Sequence, residues 1–467
     1  MEVVWSIVGF VLAVSLLVTV HEFGHFWVAR KLGFKVLRFS VGFGKPLLKK
    51  IGRDPDQTEY VIAAIPLGGY VRMLDERDGS VPVADLPRAF GRRPPWQRIL
   101  VLLAGPAANI IFAVLVLWGM FWIQGIDSVR AVVEQVAVNS PASAAGLRAR
   151  DEILEVNGRR TIDWNEVNFE LMDAMSDEGV AALKVRGDDG RERQVTINVT
   201  DADVRLKLTE PDLLSLGLGF RFWRPRTPAI IGKVLPEGPA ANAGLQAGDE
   251  LLAIDGSPMR SFDEFTDYVN ARPAQTLVFS IRRNGNIIEK PVLTSREVFA
   301  GRVLGRIKVE SVPPGDDAPK VLPPEELRTR VDLGPVSALN YSVAKSWQMT
   351  VMQAKFFVRM LQKKVSTKNI SGFISIARIS GEAVRSGPGN FLQVLVLLSL
   401  SLGFLNLLPI PILDGGQIVF QVAEWAKGGP LSDRTYLVGQ QAGLLLLFLL
   451  MGVALFNDLS GLFGART

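Results

Sequence analysis

Four long apolar runs constrain the fold of this chain more than any other feature. Each has at least about twenty residues, the length that crosses the hydrocarbon core of a bilayer as a helix. A segment in lipid must satisfy its backbone hydrogen bonds internally, so the runs predict transmembrane helices. They start at residues 3, 99, 391 and 436 and end past residue 27 and at residues 123, 413 and 456. We therefore expect a polytopic α-helical membrane protein with four spans.

The first run also falls in the position of a secretory signal peptide. It lacks a basic segment before it, carries Glu2, and does not end in a small-residue cleavage site. We expect it to be retained as the first span. The chain has no cysteine, which excludes a disulfide framework, a thiol nucleophile and thiolate metal ligands. Its net charge of +5 is modest, and we find no nucleic-acid signature.

A His-Glu-x-x-His pattern lies inside the first run, at His21, Glu22 and His25. Two histidines four residues apart project from one face of a helix, so both can hold one metal ion with the glutamate beside it. A five-residue pattern also arises by chance. Two observations favour the metal site. The chain has only these two histidines. Polar side chains inside an apolar run are also costly to bury in a membrane, so they are rare where they have no function.

The loop between the first two runs is basic, with fourteen Lys or Arg and seven Asp or Glu in residues 30–98. By the positive-inside rule this loop is cytoplasmic, and both termini lie outside. The metal motif then lies at the cytoplasmic end of the first span.

Two segments of this loop, Lys35–Val41 and Glu59–Ile65, have strand-like sequences bounded by glycines 42, 44, 68 and 69. They predict a small membrane-associated sheet close to the metal motif. It is either an ordinary hairpin or an edge strand that pairs with an extended peptide beside the metal. The second interpretation gains weight because a helical substrate must be unwound before a peptide bond can be attacked.

The second run contains Gly105, Pro106 and Asn109. Proline beside glycine kinks or loosens a helix, and Asn109 is polar at membrane depth. A helix-packing glycine with a hydrogen-bonded asparagine explains the segment equally well and is the simpler interpretation, although Asn109 remains a candidate near the site.

Residues 127–311 contain an internal repeat with an offset of 98, since Pro141–Leu154 matches Pro239–Leu252. The pattern resembles a PDZ domain. Residues resembling the PDZ carboxylate-binding loop, which come near the end of each copy, suggest two circularly permuted PDZ (α+β) domains in tandem, which either bind peptide C-termini or act only as a steric screen. The loop residues are Leu216, Gly217, Leu218, Gly219 and Phe220, with Val303–Ile307 in the second copy.

After the repeat, five prolines mark a linker: Pro313, Pro314, Pro319, Pro323 and Pro324. The next segment has an apolar stripe at helical spacing that includes Val343, Trp347 and Val351. It also carries Lys345, Lys355 and Arg359, which is too much charge for a span. We expect a helix that lies on the outer leaflet.

The third run ends at a broken segment with Asn406, Pro409, Pro411 and Asp414. Two prolines two residues apart prevent a regular helix, so this backbone must line a cavity or face a partner. A catalytic zinc ion takes three protein ligands and keeps one open position. Asp414 is the best-placed third ligand beside the two histidines, although an aspartate here also fits the cap of a following helix.

These expectations divide the chain into consecutive regions. They are a first span (1–29), a cytoplasmic loop (30–97), a second span (98–125), PDZ domains at 127–221 and 222–311, a linker (312–340), a surface helix with its connection (341–388), a third span (391–414), a loop (415–435), a fourth span (436–457) and a tail (458–467).

Taken together, these motifs resemble the site-2 protease family of intramembrane zinc metalloproteases over essentially the full length of the chain. The resemblance implies one Zn²⁺ held by His21, His25 and Asp414, with Glu22 as the catalytic acid and base. It also implies substrate contacts, at Asn406, Pro409, Pro411, Gly42, Phe43, Gly44, Gly68, Gly69 and Tyr70. The chain departs from the family pattern at Phe373, where proline is expected, and at Gln417, where histidine is common.

The resemblance further implies a Gram-negative inner-membrane protease that cuts single-span proteins already trimmed on the periplasmic side. Its expected substrates are an anti-sigma factor of a stress response and remnant signal peptides. Two alternatives remain open. One is a non-catalytic tether or chaperone that uses its PDZ domains, which has no need of Glu22. The other is a metal-coupled transporter, which predicts inverted repeats that the spans do not show.

Overall fold

The computed structural model describes residues 2–79, 81–210, 213–223, 228–299, 302–312 and 325–464. The five prolines of the predicted linker lie outside these residues. The chain forms two compact units: one comprises Met1–Arg221 with Thr329–Thr467, and the other comprises Phe222–Arg328. Each unit is described by itself.

The helices are listed here in chain order. They are α1 (Glu2–Lys31), α2 (Pro95–Gln124), α3 (Pro141–Ala144), α4 (Trp164–Ser176), α5 (Ala202–Leu208), α6 (Leu214–Leu218), α7 (Pro239–Asn242), α8 (Phe262–Asn270), α9 (Pro335–Leu361), α10 (Phe373–Arg385), α11 (Pro388–Asn406), α12 (Asp414–Lys427) and α13 (Asp433–Gly464).

The strands follow in the same order. They are β1 (Val36–Ile51), β2 (Glu59–Met73), β3 (Ile126–Val129), β4 (Val133–Val136), β5 (Glu152–Val156), β6 (Arg159–Arg160), β7 (Val180–Arg186), β8 (Glu192–Asn198), β9 (Phe220–Phe222), β10 (Ile231–Val234), β11 (Glu250–Ile254), β12 (Ser257–Pro258), β13 (Thr276–Arg283), β14 (Asn286–Leu293), β15 (Ser295–Phe299), β16 (Arg302–Arg306), β17 (Val309–Ser311) and β18 (Arg328–Val331).

Four described helices are long and apolar enough to span a membrane, which confirms the four predicted spans. They cover Val3–Lys31, Pro95–Gln124, Pro388–Asn406 and Arg434–Ser460. The third helix ends at Asn406, earlier than the predicted end at residue 414. The reason is that Pro409 and Pro411 have no backbone N–H to continue the helix. Pro106 does not break α2, which runs through it as one helix.

The hairpin after the first span is longer than predicted, because β1 and β2 continue through their glycines instead of ending at them. The first half of β1 pairs on both sides: Phe39 lies opposite both Tyr60 and Val71. The second half of β1 turns back onto the start of β2, where Lys50 lies opposite Tyr60. Gly42 and Gly44 have φ of +91° and +88°, the left-handed region that glycine adopts without strain, and this allows the turn.

The two copies of the sequence repeat fold alike. The first copy forms a four-stranded sheet in the order β6-β5-β7-β8, and the second forms one in the order β12-β11-β13-β14. An aspartate within each matching segment has equivalent partners in the two copies. Asp151 accepts hydrogen bonds from the Arg148 N–H and the Arg193 guanidinium. Asp249 accepts them from the Gln246 N–H and the Arg283 guanidinium.

Helix α9 lies where the sequence predicted a surface helix. It packs along α2, where the Trp118 indole N–H donates to the Pro335 carbonyl and Ser342 is fully buried. Its basic side chains pair with acidic residues of α4 in the first copy of the repeat. The charges that argued against a span therefore form ion pairs within the protein. The helix joins the first copy to the spans.

Helix α10 connects the last span to the first. Asp458 of α13 accepts hydrogen bonds from the backbone N–H groups of Gly372 and Ile374, at the start of α10. At the other contact, a Cβ on Gly9 of α1 would lie 2.6 Å from the Ser380 carbonyl carbon. The close approach needs glycine, and it fixes the helix that carries the His-Glu-x-x-His pattern.

Candidate metal centre

Three side chains from two distant parts of the chain meet beside α2. His21 and His25 come from α1 and Asp414 from the first turn of α12, and their ligand atoms lie within 4.8 Å of one another. His21 Nε2 lies 3.1 Å and His25 Nε2 lies 3.5 Å from Asp414 Oδ2. The two Nε2 atoms are 3.2 Å apart. Both histidines are buried.

These separations suit a tetrahedral metal ion. Bonds of about 2.05 Å, typical of zinc with imidazole or carboxylate, place two ligand atoms of a tetrahedron about 3.3 Å apart. The three observed distances of 3.1, 3.2 and 3.5 Å bracket that value. Two imidazoles and one carboxylate also form a common donor set of catalytic zinc sites. The residues present therefore fit a zinc ion with one position left open.

Neighbouring polar groups hold the imidazole rings. His25 Nδ1 lies 2.7 Å from the Val101 carbonyl oxygen in α2. The amide nitrogen of Asn109 lies 3.4 Å from His21 Nδ1. The amide nitrogen of Asn406 lies 3.4 Å from His21 Nε2, on the side where the ligand atoms converge. Asn109, which the sequence left as a candidate near the site, is thus a neighbour of a candidate ligand.

Close contact between α1 and α2 depends on two glycines. A Cβ on Gly24 would lie 2.2 Å from the Ala104 carbonyl oxygen. A Cβ on Gly105 would lie 2.3 Å from His25 Nε2 and 2.8 Å from His21 Cε1. Since real Cβ atoms do not approach that closely, glycine at these positions provides the space that the imidazoles occupy. The interpretation of Gly105 as a packing glycine is confirmed.

Glu22 lies between the metal ligands and the hairpin. It is near enough to His21, His25 and Asp414 to interact electrostatically with each of them, and the Val71 backbone is within hydrogen-bonding reach of its carboxylate. A Cβ on Gly69 would lie 3.2 Å from Glu22 Cγ and 2.7 Å from the Ser40 carbonyl oxygen. The glycine therefore lets β2 run directly past the carboxylate.

The broken segment after α11 places Asp414. A Cβ on Gly415 would lie 2.3 Å from the Leu407 carbonyl oxygen, and one on Gly416 would lie 2.2 Å from that of Ile410. The first turn of α12 can therefore pack against the non-helical backbone. The Gln417 amide donates to the Pro411 carbonyl at 2.6 Å, which gives this departure from the family pattern a structural role. Asp414 is the first residue of α12, but the N-cap position is Leu413 and no side chain caps this helix, so the interpretation of Asp414 as a helix cap is wrong.

A buried ion pair fixes the other end of α12, and sequence reasoning missed it. The Arg98 guanidinium of α2 lies 2.8 Å from the Glu424 carboxylate, and both side chains are less than a tenth exposed. The Tyr436 hydroxyl and the Leu431 N–H also donate to Glu424. Residues 326 apart in sequence form the pair. A lone Glu in an amphipathic helix gave no signal for it.

The predicted substrate residues fall in two places. Asn406 is partly exposed beside His21, whereas Pro409 is exposed and Pro411 packs near Gly443 of α13. In the hairpin, the rings of Phe43 and Tyr70 stack with centroids 6.2 Å apart. Gly42, Gly44, Gly68 and Gly69 lie within the same two strands.

The predicted carboxylate-binding loop of the first copy is not an open loop. Residues 214–218 form α6, in which the Gly217 N–H donates to Leu213 and the Gly219 N–H to Ser215 and Leu216. Leu218 and Phe220 are buried. In the second copy, residues 302–306 form β16, which pairs with β15. The amides of Gly217 and Gly219 are therefore already used within the helix.

The structure also shows where Phe373, which stands in place of the family's proline, lies. Phe373 is the first residue of α10, is 62% exposed, and meets the Phe10 ring edge-on. Proline is favoured at this first helical position but not required there.

The model of peptidase family M50 matches residues 9–450. The chain belongs to peptidase family M50. The regulator of sigma-E protease RseP of Escherichia coli (strain K12) is 38% identical over 98% of this chain and 99% of its own length. Protease RseP of Yersinia pestis is 37% identical over 99% of this chain and all of its own. A putative zinc metalloprotease of Vibrio cholerae (serotype O1, strain El Tor Inaba N16961) is 35% identical over 99% of this chain and 100% of its own length.

Among solved structures, a PDZ domain of an SdrC-like protein from Listeria monocytogenes is similar to part of the chain. It covers 19% of this chain and 92% of its own, at 21% identity and a TM-score of 0.16.

As a member of the M50, or site-2 protease, family, the chain is an intramembrane zinc metalloprotease. The predicted family, enzyme class and cofactor are confirmed. The protease interpretation is supported over the tether and the transporter. The four apolar helices and the bacterial relatives make it a bacterial inner-membrane protein.

Proposed function

We propose that His21, His25 and Asp414 hold the zinc ion and that Glu22 is the catalytic acid and base for hydrolysis of a peptide bond inside the membrane. The convergence of the three ligand atoms beside Glu22 carries this proposal. The substrates are single-span membrane proteins. Relatives of this chain are named regulators of sigma-E, so an anti-sigma factor is the proposed substrate, with remnant signal peptides as a second class.

A bound zinc ion supplies Lewis acidity, which activates water near neutral pH and polarises the scissile carbonyl. Glu22 takes the proton of the attacking water and passes it to the leaving amine. Its place between the ligands and β2 supports this role, because water and the peptide backbone must both meet there. A positioned acid and base of this kind contributes about 10²–10⁴-fold to the rate.

The substrate backbone lies along the hairpin. The segment around Gly69 and Val71 passes beside Glu22 and forms an edge of the β1–β2 pairing. An unwound peptide can add to such an edge by backbone hydrogen bonds, which also satisfies its polar groups inside the membrane. Asn406 on the opposite side donates to the peptide carbonyl, and the non-helical backbone around Pro409 and Pro411 shapes the cleft.

The outer part of the chain controls access. Both termini and the two repeat copies lie in the periplasm, and the metal centre lies toward the cytoplasm. The two copies are tandem, circularly permuted PDZ domains. The basic loop after the first span supports this orientation. The backbone N–H groups of Gly217 and Gly219 already donate to carbonyls of their own segment, which favours a size screen over capture of a peptide C-terminus in the first domain. Substrates enter after their periplasmic part has been trimmed.

Cleavage of a trimmed single-span anti-sigma factor by the purified protein in detergent tests the proposal. The wild type is compared with Glu22→Gln, and bound zinc is measured in both. We expect Glu22→Gln to retain about one zinc per chain and to lose cleavage by about 10²-fold or more.

Equal cleavage by the two proteins would remove Glu22 from the mechanism. Zinc-dependent uptake by vesicles without proteolysis would favour a transporter.

To test the screen separately, the segment 127–311 is deleted and an untrimmed substrate is offered. Continued resistance of that substrate would rule out gating by the repeats while leaving the chemistry intact.

A further inference from the structure

The two candidate histidine ligands are held by different kinds of group. Both Nε2 atoms converge on Asp414 Oδ2, so Nε2 is the nitrogen of each ring that faces the metal position. An imidazole that binds a metal through Nε2 carries its hydrogen on Nδ1, which then donates to a nearby acceptor. For His25 that acceptor is the Val101 carbonyl oxygen, 2.7 Å away. His21 needs an equivalent acceptor.

The group that faces His21 Nδ1 is the side chain of Asn109. Its amide nitrogen lies 3.4 Å from Nδ1, so two N–H groups would face each other if Nε2 binds zinc. The other end of this carboxamide, Oδ1, is buried and has no hydrogen-bond partner among the described residues. Asn109 is fully buried, so solvent does not satisfy that oxygen. Exchanging the two ends of the carboxamide resolves both conflicts at once.

We infer that Asn109 is a positioning residue that accepts the Nδ1–H of His21 through Oδ1 and thereby presents Nε2 to the zinc ion. This inference rests on the proposed role of His21 as a ligand. The bond selects the tautomer and fixes the ring plane, as the Val101 carbonyl does for His25. One ligand is thus oriented by the backbone and the other by a side chain.

Helix α11 packs directly against Asn109. The Ser399 hydroxyl of α11 donates to the Asn109 backbone carbonyl at 2.8 Å. A Cβ on Gly403 would lie 3.6 Å from Asn109 Cβ, so α11 approaches closely on that side. The asparagine therefore sits between α1 and α11, on the same helix as Gly105. Groups that orient metal ligands in this way typically change metal affinity by about 10–100-fold when removed.

The chain offers a clean measurement because it contains only two histidines. In protein labelled with ¹⁵N-histidine, the Nδ1 and Nε2 shifts of two imidazoles report the tautomer and the metal-bound nitrogen directly. The samples are wild type, Asn109→Leu, which removes the acceptor, and Asn109→Asp, which keeps an acceptor oxygen in nearly the same shape. Ser399→Ala is the matched control, since it removes a bond to the backbone of Asn109 and not to its side chain.

In the wild type we expect His21 with hydrogen on Nδ1 and, after zinc addition, a metal shift on Nε2. Asn109→Leu should bind zinc about 10–100-fold more weakly and lose the uniform Nδ1–H form of His21, while His25 is unchanged. Asn109→Asp should restore both properties, and Ser399→Ala should keep both.

Three outcomes would overturn the inference. Asn109→Leu could retain the zinc affinity and tautomer of the wild type. Asn109→Asp could lose zinc as severely as Asn109→Leu, which would indicate a packing effect. Finally, zinc could leave His21 Nε2 of the wild type unshifted, and that result would reject the proposed ligand set itself, separately from the role of Asn109.

Discussion

Ion pairs join helices in two regions of this molecule, and the regions differ in burial. At the end of α12 away from Asp414, Arg98 and Glu424 pair with side chains only 8% and 3% exposed. Between α4 and α9, Lys345 pairs with Glu166, and Lys355 and Arg359 pair with Asp173, with side chains 11–38% exposed. Solvent screens the second group but not the first. The inner contact is therefore expected to be permanent, and the outer one to respond to salt.

This difference matches the proposed roles of the two regions. As the proposed zinc ligand, Asp414 must stay within bonding distance of the ion, and Glu424 holds the helix that carries it. As the proposed size screen, the first repeat copy must instead let trimmed substrates reach the spans. Several partly exposed pairs, each worth about 0–1 kcal/mol, can hold a domain in place and still release it.

The largest effect is expected from Glu424→Gln. Breaking one partner of a buried ion pair leaves an uncompensated charge and costs about 3–5 kcal/mol of unfolding free energy. Thermal unfolding in detergent measures the loss. The double variant Arg98→Met with Glu424→Met is the control, because removing both charges should restore most of the stability. A single variant as stable as the wild type would mean that the pair does not fix α12.

The same pair predicts a dependence on pH. Burial raises the pKa of Glu424, but the Leu431 N–H, the Tyr436 hydroxyl and Arg98 outweigh it, so that the net pKa is lower than usual. The stabilisation is therefore complete above the ordinary pKa of a glutamate and is lost as pH falls through the lowered one. The difference in unfolding temperature between wild type and Glu424→Gln should shrink in acid. A constant difference would contradict this.

A smaller effect is expected from Gly105→Ala, which tests whether the inner region is rigid. The added methyl would lie 2.3 Å from His25 Nε2. Overpacking of this kind costs about 1–3 kcal/mol and should also weaken zinc binding, measured by competition with a chelator. Gly119→Ala in the same helix is the matched control. A Cβ added at Gly119 would have no described atom within 4 Å, apart from its chain neighbours and the backbone of its own helix. Equal zinc affinity in both variants would mean that the imidazoles can move aside.

The outer region should respond less to a single change. Asp173→Asn removes the partner of Lys355 and Arg359, at a cost of about 1 kcal/mol. Hydrogen exchange of α4 and α9 should rise, and high salt should raise the exchange of the wild type toward that of the variant. Salt-independent exchange in the wild type would show that apolar packing holds this contact instead.

The smallest effect is expected from Asp188→Asn. Its pair with Arg150 is 70–75% exposed, so the change in unfolding free energy should be near zero. It serves as the reference for Asp173→Asn. If both variants changed exchange of α9 equally, the α4–α9 pairs would have no special role.

Much of the candidate site could be predicted because its elements have strong local signals. The His-Glu-x-x-His pattern needs only helical periodicity to place His21 and His25 on one face. The prolines at 409 and 411 predict a broken helix, and α11 does end at Asn406. The repeat offset of 98 predicts two copies, and the two sheets share one strand order. In each case the signal lies within a few residues or in a direct comparison of two segments.

Other features could not be predicted because their partners are far apart in sequence. The basic residues of α9 argued against a span but did not indicate their partners, which are Glu166 and Asp173 on α4. The glycines of the hairpin suggested strand ends, but Gly69 serves the close approach to Glu22. The choice between solvent, lipid and protein as the partner of a charge is not encoded in local periodicity.

By itself, the sequence determined the four spans, the ligand types and the repeat, because hydrophobic length, donor chemistry and self-similarity are properties of single segments. Only the tertiary structure decided which groups orient the ligands. Asn109 meets His21 and Val101 meets His25 because α1 and α2 cross where Gly24 and Gly105 leave space. Arg98 meets Glu424 where α12 packs against α2. Such contacts depend on distances of a few tenths of an ångström between helices, which no pattern along one helix specifies.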